Sequence, residues 1–145
     1  MTKQILSPVT IDLHAQLTSK EAAIRHTGQI LVDQGYVNAG YIDKMLEREA
    51  VTSTFMGNYV AIPHGTEEGK KEIKETGISV VTVPDGVDFG GGNIVKVLIG
   101  IAGKGDEHLE ILSKIAIILS EEVNIDNILE ATSKDEIISL FNEVN

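Results

Sequence analysis

The sequence predicts a single α/β domain, residues 1–145, with a mixed central β-sheet flanked by helices on both faces. Two runs, "GISVVTVP" and "IVKVLIGIAG", are rich in β-branched residues with almost no polar alternation, the pattern of strands buried on both sides. Apolar residues at helical spacing occur both before and after these runs, so helices are available to cover both faces. A length of 145 residues with 42% apolar content is enough for one sizeable core.

Each element has its own signal. Val9, Ile11 and Leu13 alternate after Pro8, which suggests a short edge strand. His14 follows as an outward-facing polar residue. "TSKEAAIRHTGQILVDQG" reads as a helix: Thr18 and Glu21 match a capping box, Ala23, Thr27, Ile30 and Leu31 share a face, and Gly35 stops it. His26 falls near its polar side. "YVNAGYIDKMLEREA" suggests a second helix, where Arg48 in the last turn is favourable with the helix dipole and needs no further role. "VTSTFMG" and "NYVAIP" then read as two short strands, and "TEEGKKEIKETG" as a helical turn and a loop.

After the first buried run, "PDGVDFGGGN" has the composition of a loop. The second run leads through "GKGD" into "EHLEILSKIAIILS", a helix expected to bury Leu109, Leu112, Ile115, Ala116 and Leu119. A short helix around Ile125 to Glu130 and a last one from Ser133 to Glu143, with Ser133 and Glu136 as a capping box, close the chain.

Composition narrows the function. With no cysteine, thiol nucleophiles, disulfides and thiolate metal sites are excluded. A net charge of −10 argues against nucleic acid or an anionic membrane surface, and favours a basic protein partner. There is no secretory leader pattern, and "VKVLIGIAG" is too short to span a bilayer, so a cytoplasmic protein is expected. "GIAGKGD" lacks the Ser or Thr that a phosphate-binding loop needs after its lysine. "FGGGN" is followed by a strand, where a dinucleotide fingerprint needs a helix.

What remains is a pair of histidines. His64 ends a strand-like run in "NYVAIPHGT", where α/β folds expose reactive groups. His108 sits in the first turn of a helix, where free backbone N–H groups attract anions. An anion held between them is one reading. Two hydrogen-bonded structural histidines is another, and a metal site completed by Glu49 or Glu107 is a third.

The run from Gly57 to Gly65, Gly-x-x-(apolar)-Ala-(apolar)-Pro-His-Gly, resembles the phosphorylated-histidine motif of the A component (EIIA) of the bacterial phosphoenolpyruvate-dependent sugar phosphotransferase system, mannitol–fructose type. The likeness continues through "TGISVVTVPDGVDFG", "VLIGIAG" and "DEHLEILSKIAIILS", covering nearly the whole chain. "LERE", Thr66 after "PHG", and "GDEHLEIL" resemble the mannitol branch.

The resemblance implies a phosphocarrier acting as a separate subunit, with neither cofactor nor metal. His64 would accept a phosphoryl group on Nε2 from the carrier protein HPr. It would then pass the group to a cysteine of the B component (EIIB) of the mannitol transporter. His108 would be the second active-site histidine and Arg48 the nearby cation, while Pro63 and Gly65 would fix and thin the backbone around the ring. The family pattern has glutamate where this chain has Asn58, which leaves that position an uncharged supporting role. The rivals are a regulatory phosphorylation sensor of the same fold and a two-histidine metal hydrolase.

Overall fold

The computed structural model of the chain describes residues 4–142 and 144. The two β-branched runs form the long antiparallel strands β4 (Gly77–Asp88) and β5 (Ile94–Ala102), paired through Ile78 with Ile101 and Val81 with Leu98. Three short strands complete a mixed sheet. They are β1 (Ile11–Asp12), parallel to β4; β3 (Val60–Ala61), parallel to β5; and β2 (Phe55–Gly57), antiparallel to β3. The strand order is β1-β4-β5-β3-β2.

Side chains alternate across a strand, so the central pair supplies two cores at once. Ile78, Val80, Val97, Ile99 and Ile101 meet the helices α3 (Glu107–Leu119), α4 (Glu122–Glu130) and α5 (Lys134–Leu140) on one face. Val81, Val83, Leu98 and Ala102 meet α1 (Lys20–Asp33) and α2 (Gly40–Val51) on the other. Each of the valine, leucine and isoleucine side chains among them contributes about 1.5–3 kcal/mol by leaving water. The expected architecture is therefore the observed one, and none of the helices of the described residues is long and apolar enough to cross a membrane.

Several local expectations are corrected. The N-cap of α1 is Ser19, whose Oγ accepts from the Ala22 N–H, and not Thr18. α2 begins at Gly40, because Tyr36 and Val37 are buried and Val37 bridges Ile73. "PDGVD" is not loop: β4 runs to Asp88 through a register shift between Thr82 and Val87, with Gly86 at φ 80° absorbing the bend. The loop proper is only the segment between Asp88 and Ile94. In α3 the buried residues are Ile111, Ile115, Ile118 and Leu119, whereas Leu109 is 69% exposed and Ala116 also faces solvent. α5 ends at Leu140; Ser133 is its N-cap as expected and accepts from the Glu136 N–H, but the Glu136 carboxylate accepts from the Thr132 N–H and not from that of Ser133, so only half of the box forms.

One buried carboxylate ties α2 to its neighbours. Glu49 accepts from the Thr54 N–H (3.0 Å) and hydroxyl (2.6 Å) and pairs with Lys20 Nζ (3.0 Å). Burial alone would push its pKa up, but the hydrogen bonds from Ser53, Thr54 and Lys20 outweigh it and hold the carboxyl below its ordinary value. A depressed folded-state pKa contributes stability that is present above the unfolded value and is lost as pH falls through the folded one. Glu49→Ala is expected to cost about 2 kcal/mol at pH 7 in urea unfolding, since it strands Lys20 and Thr54. The gap from the parent should narrow below pH 4.5, the ordinary value of the carboxyl; a gap independent of pH would show that the charge plays no part.

Candidate phosphoryl-acceptor site

His64 lies where the β3–β5 pairing runs out. The chain leaves β3 alongside β5, Ile101 N–H donates to the Pro63 carbonyl (2.9 Å), and His64 forms a parallel bridge with Ile101. Proline suits this place, since it gives up no N–H that the ladder needs and still offers its carbonyl. The ring is held by a second bond, from His64 Nδ1 to the Ile62 carbonyl at 2.8 Å. A carbonyl only accepts, so Nδ1 carries the proton and Nε2 keeps its lone pair.

Gly65 is dictated by Tyr41. The Tyr41 hydroxyl donates to the Ile101 carbonyl (2.6 Å) and accepts from the Gly65 N–H (2.9 Å), stitching α2, β5 and the histidine turn together. A Cβ on residue 65 would come within 2.6 Å of the Tyr41 ring, so only glycine allows the turn to approach this closely. Burial pushes the Tyr41 phenol up to about 12, so it remains a neutral donor.

His108 arrives from the other layer. Gly103 lets the chain fold back from β5 tightly enough that a Cβ there would stand 2.7 Å from His108 Cβ. The two imidazoles end with centroids 5.4 Å apart, inclined at 55°. His108 Nδ1 is buried without a hydrogen-bond partner among the described residues. An orphan of this kind costs about 1–3 kcal/mol and is tolerated chiefly at functional sites.

Electrostatics keep both rings neutral. The His64 pKa is lowered by burial, and further by the charge of Arg48, against the opposing pull of the Ile62 carbonyl and Glu49. The His108 pKa is lowered by burial, then by His64 and Lys70. Both shifts, set first by burial, favour the uncharged imidazole at neutral pH, with Arg48 and Lys70 acting against protonation and Glu49 and Glu67 for it.

Arg48, in the last turn of α2, donates from Nη1 to the Thr52 carbonyl at 2.6 Å, so it caps its own helix while its charge reaches His64. Asn58 is elsewhere. It occupies the β2–β3 hairpin turn with φ 49°, next to Tyr59 at φ 70°, a left-handed pair that suits asparagine better than most side chains. Val60 and His64 align with Val97 and Ile101, so the chain runs extended along β5 between that turn and His64. Glu49 is committed to Thr54 and Lys20, and no group of three or more potential metal ligands gathers among the described residues.

Sequence reading passes over one group near the site. Lys70, from the 3-10 turn Glu68–Glu72, bears on His108 and pairs with Glu67 at 3.0 Å. It lies within a segment read as a helical turn and a loop, and neither spacing nor periodicity tells a solvated lysine from one at a site.

Residues 4–144 match the family described as "Phosphoenolpyruvate-dependent sugar phosphotransferase system, EIIA 2". The chain belongs to this family. Among curated EIIA relatives, the mannitol-specific phosphotransferase enzyme IIA component of Geobacillus stearothermophilus is 60% identical over the whole of both chains. That of Bacillus subtilis is 55% identical, over 98% of this chain and 99% of its own. The crystal structure of IIA mannitol from Escherichia coli superimposes with a TM-score of 0.86 at 37% identity, over 94% of this chain and 98% of that one. The E. coli complex of enzyme IIAMTL with phosphorylated enzyme IIBMTL gives a TM-score of 0.87 at 34% identity, over 95% and 97%.

The state of the two EIIA rings is directly measurable. Nitrogen-15 NMR at pH 7 should find His64 as the neutral Nδ1–H tautomer, with both His64 and His108 titrating below the ordinary 6.5. An imidazolium at either position at that pH would overturn this electrostatic reading.

Proposed function

We propose that this EIIA protein is a phosphocarrier of the mannitol phosphotransferase system, with His64 as its acceptor. It takes a phosphoryl group from phospho-HPr and passes it to the EIIB component of the mannitol transporter, for coupled uptake and phosphorylation of the sugar. The observation that carries the assignment to His64 is its tether: a neutral ring, pinned through Nδ1–H to the Ile62 carbonyl, with Nε2 free beside a second histidine. The absence of a membrane-crossing helix among the described residues fits a carrier working in the cytoplasm.

The chemistry asks little beyond position and charge. The Nε2 lone pair of His64 attacks phosphorus in line as the P–N bond to the HPr histidine breaks, and the donor imidazole leaves with the bonding pair. Nδ1–H stays on the Ile62 carbonyl throughout, so the phosphorylated ring, substituted at both nitrogens, carries a formal positive charge that partly offsets the phosphoryl oxygens and makes the ring a good leaving group in the next transfer. In the second transfer a thiolate of EIIB attacks the same phosphorus, and the pair returns to Nε2. Arg48, released from the Thr52 carbonyl, and His108 would bear on the equatorial oxygens, whose charge is spread in the loose transition state. Leu109, exposed beside His108, is the apolar contact that a docked partner would cover. The role expected of Asn58 reduces to shaping the hairpin turn.

The test is reconstitution with enzyme I, HPr and labelled phosphoenolpyruvate. The chain should take up an acid-labile, alkali-stable label that is lost in His64→Ala. His108→Ala and Arg48→Ala should accept label roughly 10- to 1,000-fold more slowly, the range seen when a group stabilising transition-state charge is removed. Label retained by His64→Ala would sink the assignment; full rates in both other variants would remove those residues from the site.

A further inference from the structure

The acidity of this chain is concentrated in one part of it. Residues 105–145 hold ten of the 22 acidic residues but only two of the 12 basic ones. Most of these residues belong to α3, α4 and α5, the layer whose inner side packs on the sheet. Its outer side is indented. A groove of about 560 Å³ runs along Asn127 and Glu130 of α4 and Glu136, Ser139 and Leu140 of α5. It adjoins a second depression of about 400 Å³ that reaches Ile117 of α3 and Glu121.

Two features of this surface have no role in the fold or in phosphoryl transfer. Ile117 and Val123 are 69% and 61% exposed, and Val123 shares a helical strip with Asn127 and Glu130. Glu121 and Glu130 have no ion-pair partner among the described residues, and Glu130 ends α4, where the helix dipole disfavours an anion. Ile117 and Leu140 thus line the depressions together with the carboxylates of Glu121 and Glu130, an apolar floor with an acidic rim.

We propose that this groove is a second docking surface, which takes a basic amphipathic segment of a protein partner: large apolar side chains seated against Ile117 and Leu140, flanked by lysine or arginine facing Glu121 and Glu130. The surface is distinct from the acceptor site, because Ile117 lies ~14 Å along α3 from His108. Charge selects the occupant. A second copy of the chain would bring the same negative layer, and anionic lipid or nucleic acid would be repelled. A cationic segment gains attraction from the rim and apolar contact from the floor. A partner held here leaves His64 open, so docking and phosphoryl transfer can proceed together.

The probe is a synthetic amphipathic helix of leucine and lysine, titrated at low ionic strength into the full chain while backbone amide shifts are followed. Shifts should cluster on residues 117–142. Binding should weaken roughly tenfold in Ile117→Ser and in Glu130→Lys, the loss typical of a central contact, and should fall when serine replaces leucine in the peptide. Both substitutions are at exposed positions, and both variants should be phosphorylated on His64 at the parent rate. That readout separates failure of docking from failure of the carrier function. Shifts scattered over acidic residues throughout the chain, a cluster around His64, no binding, or preferential binding of the chain to anionic vesicles would each overturn the proposal.

Discussion

The hydrogen bond from His64 Nδ1 to the Ile62 carbonyl is the contact on which the site depends. It fixes the tautomer, orients the ring and leaves Nε2 as the only nitrogen with a lone pair to give. The bond exists because the chain runs past the end of β3 without losing its register. Pro63 keeps its carbonyl on Ile101 N–H, and the Tyr41 hydroxyl closes the next gap between Ile101 and Gly65. The positioning is thus built from main-chain groups and one buried tyrosine hydroxyl beside the long β4–β5 pair, and a reactive ring mounted there has little freedom to lose when a partner arrives.

Around that ring the protein sets a local charge opposite to its global one. The chain carries −10, yet Arg48 and Lys70 bear on the two histidines, and burial keeps both rings from protonating. A dianionic phosphoryl group can therefore enter a neutral, partly dry pocket with positive charge at its margin. The acidic surplus, densest in residues 105–145, is available to steer positively charged surfaces toward the molecule.

Much of the fold was legible because its centre is simple. The long β-branched runs of β4 and β5 announce themselves, and Pro63-His64-Gly65 is conspicuous at a strand end. Errors fell where two signals competed. Pro84, Asp85 and Gly86 have turn chemistry but serve a bulge inside β4. α3 is apolar nearly all round from Ile115 to Leu119, so its periodicity does not select a face, and Leu109 and Ala116 were assigned to the core although they face solvent. Asn58 enters through the family pattern, which has glutamate there, and its place in the β2–β3 turn at positive φ is not a local signal of either a site or a turn role. The sheet order and the approach of His108 to His64 depend on contacts between distant segments, to which local pattern is blind.

The most direct test of the account is the position of phosphorus on the ring. With histidine nitrogens labelled and the chain phosphorylated through enzyme I and HPr, nitrogen–phosphorus coupling should appear at His64 Nε2, with Nδ1 still protonated and bonded to the Ile62 carbonyl. Coupling at His64 Nδ1, or at either nitrogen of His108, would contradict it.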